Sequence, residues 1–508
     1  MTFNAHTKGP VMQKTHCGKI CLLFSGILVV CFGSCILIFF ESIYDSILNY
    51  GLQFNPSSQA YQGWYKSPPI PTYFYLFNWT NPEKINDVSV KPEFEENGPY
   101  RFYEIRGKSN VSWFDHYVKY KSYTSTFFDE TKKSGNLSDV INSVNTVALA
   151  VGYQARFQNF WTKKMMSLGL SSKSVKLYVT KPVRELLFDG YEDPVLGLLS
   201  KLPFFGAPDK GGFFYGRNGT IGLDGTYNMH FKNDDRFGEV LLWNNKNQTD
   251  FFNGECNSIK GSSGEFFPLN RKKDRIMIFS SEMCKSLVLY YTEEVMIKGV
   301  LGYKYSAEYG FDNGTVYPEN YCYCNGECIP TGVFNVSSCR MNSPTFLSFP
   351  HFFNADPVYR DSVKGMKPNR TLHEFYMILE PKSGIVMEVQ GGIQLNMLLQ
   401  PVSSIRLYNK VPRIFLPIFY IVHKVELSDE IAAGLRLIQN LPTYSYYMSY
   451  TLISTGLICI FGVIVLLFCR YKASNLTKMK INREIIPVKK IIIYEQVPLK
   501  EKSDITWT

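Results

Sequence analysis

The sequence predicts a mixed α+β protein, mainly β, whose large exterior domain is anchored by two membrane-spanning helices. Three observations carry this expectation. Ile20–Phe40 runs 21 residues without a charge, an Asn or a Pro, and Tyr450–Cys469 forms a second apolar run near the other end. Between them lie short Tyr/Phe/Val/Ile runs broken by Gly, Pro and Asn, the texture of antiparallel strands. Charges and Asn-x-Ser/Thr sequons then divide between ends and middle as a membrane would divide them.

At ~1.5 Å rise per residue, a helix over Ile20–Phe40 covers roughly 30 Å, the thickness of a bilayer's hydrocarbon core. A cleaved signal peptide also sits at the N-terminus behind positive charge, but its apolar core runs about 7–15 residues to a small-residue cleavage site. Here the run continues past Gly33 and Ser34 and stops only at Glu41, as an uncleaved signal-anchor does. The second span lies in a stretch from Arg436 to Arg470 that has no charged side chain between its ends. Tyr444, Tyr446, Tyr447 and Tyr450 mark its outer end as an aromatic belt. The expected organisation is a cytosolic N-terminus over 1–19, spans over 20–40 and 450–469, an exterior domain over 41–449 and a cytosolic tail over 470–508.

Charge assigns the sides. Residues 1–40 hold Lys8, Lys14 and Lys19 and no acid, while 470–508 hold nine Lys or Arg against four acids. Of the chain's net +10, only +2 is left for residues 41–469. This positive-inside pattern places both termini in the cytosol and removes the basic balance as an argument for nucleic-acid binding. Sequons begin at Asn78, Asn110, Asn136, Asn218, Asn247, Asn313, Asn335 and Asn369, all in the exterior, where glycosylation is expected. Asn475 begins another on the cytosolic side, where it stays bare.

The 12 cysteines split in the same way. Cys256, Cys284, Cys322, Cys324, Cys328 and Cys339 lie in the exterior, and an even set in an oxidising compartment reads as three disulfides whose pairing the spacing leaves open. A zinc site is the rival for Cys-x-Cys-x3-Cys, but no His stands nearby. Cys17 and Cys469 flank the spans and are candidates for palmitoylation, with inert thiols as the alternative.

Within the exterior, Tyr73–Phe77, Tyr117–Tyr123, Arg275–Phe279 and Ile385–Val389 read as strands. Helical periodicity is confined to Ser42–Leu48, Leu137–Leu170, Val183–Leu199 and Ser428–Asn440. The second half of Leu137–Leu170 interleaves Arg156, Lys163 and Lys164 with Phe157, Phe160, Trp161, Met165 and Met166. Exposed together, these could capture an anionic amphiphile; the alternative is a hairpin that packs its aromatics inward and solvates its lysines. No catalytic constellation appears: there is no Gly-x-Ser-x-Gly elbow, phosphate-binding Gly loop or His-Glu-x-x-His, and the seven histidines are scattered. Asp234/Asp235 and Glu293/Glu294 sit in polar turns or strand edges, where solvated charge is the expectation. The expected chain is not an enzyme and has no metal or other cofactor.

A series of motifs adds a family. Asn97-Gly-Pro-Tyr-Arg-Phe-Tyr-Glu104, Arg184-Glu-Leu-Leu187 with Gly190-Tyr-Glu-Asp-Pro194, and Ser281-Glu-Met-Cys-Lys-Ser286 occur in that order. Asn320-Tyr-Cys-Tyr-Cys324, Ser348-Phe-Pro-His-Phe352 and Glu380-Pro-x-x-Gly384 follow. With the two-span hairpin, the series resembles the class B scavenger receptor family, which includes fatty-acid translocases, lysosomal integral membrane proteins and sensory-neuron membrane proteins. The resemblance implies a large antiparallel β-barrel-like exterior with an apical helical bundle and an internal hydrophobic tunnel. It implies a cell-surface receptor that binds lipids, fatty acids or lipoproteins at the apex and passes lipid down the tunnel to the membrane. It also implies the pairs Cys256–Cys322, Cys284–Cys339 and Cys324–Cys328.

Fatty-acid-binding members carry a Lys-x-Lys pair before Arg-Glu-Leu-Leu; Ser172 and Ser174 match those positions here, with Lys173 and Lys176 nearest. Lys163, Lys164, Lys173 and Lys176 are therefore the headgroup candidates. An endosomal or lysosomal trafficking receptor for a lumenal protein is the alternative, and Tyr494-Glu-Gln-Val497 fits its sorting signal, with Tyr494 and Val497 as the anchors. A two-span ligand-gated channel ranks lower, because the spans lack a polar pore-lining stripe.

Overall fold

The computed structural model describes residues 11–131, 134–200, 208–324, 327–340 and 342–491. The chain divides into two compact units, one formed by Met1–Ile47 with Asn440–Thr508 and the other by Leu48–Gln439.

The first unit is a pair of helices taken from α1 (Val11–Gly51) and from the last helix of the chain, Asp429–Ile491. Both are long and apolar enough to cross a membrane. They run antiparallel with small residues at the seam. A Cβ on Gly456 would lie 2.6 Å from Val30 Cγ2 and 2.7 Å from the Gly26 carbonyl oxygen, and one on Gly33 would lie 2.9 Å from Ile453 Cγ1. Ser445 and Ser449 are buried beside this seam, while Phe24, Phe32, Ile38, Ile458, Phe461 and Phe468 face outward and exposed. Close backbone approach is how apolar helices gain packing where no hydrophobic effect separates helix from lipid. Gly456→Leu is therefore expected to cost about 1–3 kcal/mol, read as a lower melting temperature in detergent. Gly462→Leu, where a Cβ meets nothing within 4 Å, leaves melting unchanged.

The second unit opens on a short helix, α2 (Gln59–Tyr65), and is built on one 13-stranded antiparallel sheet. Its first strands are β1 (Ile70–Trp79), β2 (Phe94–Trp113) and β3 (Tyr117–Phe128). After β4 (Val140–Val144) and β5 (Tyr178–Pro182), which form a separate ribbon, come β6 (Thr226–His230) and β7 (Val240–Trp243). The second half adds β8 (Arg275–Ser280), β9 (Lys285–Ile297), β10 (Val300–Ser306), β11 (Val333–Asn335) and β12 (Thr345–Ser348). Last come β13 (Tyr376–Leu379), β14 (Val386–Leu399) and β15 (Ile414–Val425). The order β7-β6-β3-β2-β1-β15-β14-β13-β10-β9-β8 brings first and last strands together at its centre. The two edges nearly close on each other. Gly261 and Ser262 bridge them, since Val240 N donates to Gly261 O while Ser262 exchanges backbone hydrogen bonds with Met277 and Phe279. Only glycine fits at 261: its φ is +93° and a Cβ there would lie 2.4 Å from Met277 O.

Three of the segments read as strands fall within β1, β3 and β8, and Ile385–Val389 enters β14 one residue late, at Val386; aromatic and β-branched residues alternate between core and surface there. Pro417 sits inside β15 at a register shift opposite Asn396, the irregularity that lets a strand carry a proline. The helical expectations are partly corrected. Val140–Val144 is a strand because it pairs with β5, and only the rest of Leu137–Leu170 is helical, as α3 (Thr146–Ala155) and α4 (Phe160–Ser172). In Val183–Leu199 the chain coils over 183–189 and again in a short helix, Leu196–Leu199, with an uncoiled break between them. Ser428–Asn440 does not stand apart; it runs on into the second long helix.

The sulfurs of Cys256 and Cys322, Cys284 and Cys339, and Cys324 and Cys328 are bonded. They border a core cluster that holds Phe252, Phe311, Phe334 and Phe349. Lys285 is buried in it, its Nζ donating to Gly310 O at 3.0 Å and lying 4.0 and 4.2 Å from the ring centres of Tyr323 and Phe334. Burial pushes the Lys285 amine down to about 7, against the pull of Asp312. The folded lysine thus releases its proton before the unfolded one, so stability rises with pH between about 7 and 9.5. The unfolding free energy should rise by about 3 kcal/mol over that window in the wild type and stay nearly flat in Lys285→Met.

Candidate functional site

The α3–α4 hairpin carries the residues singled out for ligand capture. Both helices start on an asparagine: Asn145 Oδ1 accepts from Ala148 N at 3.0 Å, and Asn159 Oδ1 from Thr162 N at 2.9 Å. α3 docks firmly, burying Ala148, Leu149, Gly152 and Ala155, with Tyr408 Oη donating to Ala148 O across the contact. α4 buries only Leu170. Its aromatics do not turn inward. Trp161 is 77% exposed and Met165 68%, and Phe157, Phe160 and Leu168 are also exposed. This settles the hairpin question against inward packing, because a helix that buried these rings could not leave them at such values.

The basic groups sit among them. Arg156 lies 3.8 Å from the ring centre of Tyr153 and 4.5 Å from that of Phe157, and Lys164 Nζ lies 5.5 Å from that of Phe160. Lys163 is half-buried on the same helix, and Lys173 caps its C-terminus. Lys176 is exposed but engaged: its Nζ donates to Tyr178 Oη at 3.1 Å, and that hydroxyl donates to Glu83 Oε1 at 2.8 Å. Ser172 and Ser174 flank Lys173, both exposed.

A second feature is the inner face of the nearly closed sheet. Phe102 touches Phe74, Phe128 and Phe188 at 4.9–5.3 Å between ring centres, and Phe188, Phe214 and Phe419 continue the series at 5.6–5.9 Å. Phe128, Phe188 and Phe214 are only half-buried although they pack against this core. A second aromatic cluster gathers Phe54, Trp64, Tyr120 and Phe237.

Between the two clusters β2 turns polar. Glu104, Arg106 and Lys108 follow Phe102 on the same face, since strand side chains alternate. Arg106 Nε and Nη2 donate to Glu104 Oε2 at 3.4 and 3.1 Å. His423 Nδ1 lies 3.2 Å from Thr72 Oγ1 and 3.7 Å from Glu104 Oε2. Lys108 Nζ donates to Glu265 Oε1 at 2.6 Å, and Trp64 Nε1 to Glu265 Oε2 at 3.0 Å. Burial opposes ionisation of Glu104, but His423 and Arg106 outweigh it and hold its carboxyl below the usual range. Burial holds the His423 imidazole low against the pull of Glu104. Nothing in the linear sequence joined Glu104 and Arg106 to Glu265 or His423. Their i, i+2 spacing on a strand was the one available signal.

Two scattered histidines also meet. The rings of His351 and His373 stack at 4.7 Å, His351 Nε2 lies 2.5 Å from Glu96 Oε2, and Tyr420 Oη donates to the same oxygen at 2.9 Å. Burial and His351 push His373 down to about 4, so it stays neutral at physiological pH. The carboxylate pairs are not simply solvated: Asp234 pairs with His230, Glu293 with Lys304 and Glu294 with Lys273.

Among the sequon asparagines, Asn110, Asn136, Asn218, Asn247 and Asn369 are exposed, and Asn78 and Asn335 are half-buried. Asn313 stands apart from these. It is buried, and the amide nitrogen that would carry a glycan donates to Val333 O at 3.0 Å. Cys469 is exposed on its helix; the Cys17 side chain, Tyr494 and Val497 lie outside the described residues.

Comparison with known proteins places these features in a lineage. Residues 23–467 match the CD36 family. The chain is 36% identical over 456 residues to Protein peste of Drosophila melanogaster, covering 87% of this chain and 82% of that protein. It is 30% identical over 454 residues to Scavenger receptor class B member 1 of Sus scrofa, covering 87% and 88%. Lysosome membrane protein 2 of Rattus norvegicus is 29% identical over 446 residues, covering 86% and 91%. With a match across both long helices and the whole sheet between them, this chain belongs to the CD36 family.

Proposed function

We propose that the protein is a scavenger-type receptor that captures lipid or lipoprotein at the α3–α4 surface and passes lipid along the inside of the barrel to the membrane. The observation that carries this reading is the exposed row Phe157, Phe160, Trp161, Met165 and Leu168 beside Arg156, Lys164 and Lys173. Apolar rings held in water at this density mark a binding surface. Cations beside them suit an amphiphile with an anionic head. Half-buried Phe128, Phe188 and Phe214 then offer an acyl chain an apolar path, where each sheltered CH2 is stabilised by ~0.8 kcal/mol. Lys163, Lys164, Lys173 and Lys176 are the proposed headgroup contacts, Lys176 through its link to Tyr178.

In this reading both termini are cytosolic and the sheet unit is extracellular, disulfide-bonded and glycosylated at the sequons other than Asn313. Cys17 and Cys469 are palmitoylation sites in the same scheme. A second reading, a trafficking receptor for a lumenal protein using Tyr494 and Val497, draws on the likeness to Lysosome membrane protein 2. The test is uptake of labelled fatty acid and phospholipid by cells expressing the chain at the surface. The proposal expects uptake above that of untransfected cells; unchanged uptake at matched surface level, with the tagged chain in lysosomes, favours the second reading.

A further inference from the structure

We propose that Arg106 forms a headgroup station inside the barrel, which takes the carboxylate of a passing acyl chain and thereby favours free acids over headless esters. This rests on the reading that lipid travels along the inner face of the sheet. The residues facing inward along β2 run from Phe102, in one aromatic cluster, through Glu104 and Arg106 to Lys108, beside Trp64 and Tyr120 of the other. A lipid moving between the clusters must therefore cross this polar girdle.

The girdle is not uniformly closed. The side chains of Glu104 and Lys108 are 8% and 6% exposed and hold ionic partners, whereas Arg106 retains 40% and His423 32%. Accessibility of that size on a strand whose neighbours Glu104 and Lys108 are buried means that the arginine borders open space. Arg106 turns Nε and Nη2 toward a single oxygen of Glu104. Nη2 also lies 3.5 Å from His423 Nδ1, so Nη1 is the nitrogen left to donate to a carboxylate. Thr72 and the imidazole of His423 stand beside it as further polar partners. An ester with no charged head offers the girdle nothing in exchange for the water it displaces, and burying charged groups without partners is costly. A free acid replaces that water with an ion pair.

The test uses the purified full-length chain in lipid nanodiscs, with labelled oleate and methyl oleate supplied from albumin. The wild type is expected to bind oleate about tenfold better than the ester, the scale of one charge-assisted hydrogen bond. Arg106→Gln, and the double variant Glu104→Gln/Arg106→Gln that leaves no carboxylate unpaired, should lower this ratio severalfold by weakening oleate alone, the α4 lysines keeping what preference remains. A ratio unchanged in both variants overturns the headgroup station and leaves the lipid path standing. A wild type that binds neither probe overturns the lipid path itself, and the station with it.

Discussion

Trp161→Asp combined with Phe160→Asp is expected to reduce cellular uptake of labelled lipid about tenfold or more, while leaving surface expression and thermal stability near wild type. The two halves of this expectation have one cause. Both rings are more than half exposed, so the fold gains little from them and loses little when they go. A bound lipid, in contrast, would cover much of an indole, and an aromatic of this type buries about 150–250 Å² when covered. At about 25 cal/mol per Å² the loss exceeds the 1.4 kcal/mol that corresponds to tenfold binding. Uptake measured at matched surface levels checks it. Undiminished uptake would remove α4 as the capture surface.

Asp312→Ala is expected to destabilise the disulfide-bearing side of the sheet unit by about 3 kcal/mol or more. Asp312 is 2% exposed, and its carboxylate accepts from the backbone nitrogens of Gly314, Thr315, Val316 and Tyr317 at 3.0–3.2 Å. Asn320 Nδ2 and Thr331 Oγ1 add to this set. Removing the acceptor leaves buried donors unpaired, which costs more than the bonds themselves contribute. Burial opposes ionisation, yet the backbone donors of Val316 and Tyr317 prevail and hold this carboxyl below the usual range. Its contribution is therefore complete above the unfolded value of about 3.9 and is lost as pH falls through the lower folded value. Denaturation midpoints should show a gap between wild type and variant that persists at pH 7 and pH 5 and closes only in stronger acid.

What could be read from the sequence followed the range of the physics involved. The spans were legible because membrane insertion depends on local apolar length, and strands such as Tyr73–Phe77 because β-branched and aromatic runs express a local preference. Val140–Val144 was misread as helix because its conformation is decided by β5, some forty residues away. At the capture surface, composition placed the aromatics and lysines together but left their orientation open. That depended on Tyr408 and Ala148 docking α3 while α4 buries only Leu170 among the described residues. The interior girdle showed only as an i, i+2 spacing on β2, since Lys108 meets Glu265 and Thr72 meets His423 only after the sheet curls. Asn313 carries a perfect sequon, and only its hydrogen bond to Val333 shows that its amide is occupied.

The central claim is that lipid moves along the inner face of the barrel. A photoreactive fatty acid, activated in cells expressing the full chain and mapped by mass spectrometry, tests it most directly. The account predicts adducts at Phe102, Phe128, Phe188, Phe214 and Phe419 as well as at α4. Adducts confined to α4 and the outer surface, with none on the interior rings while uptake proceeds, would contradict it.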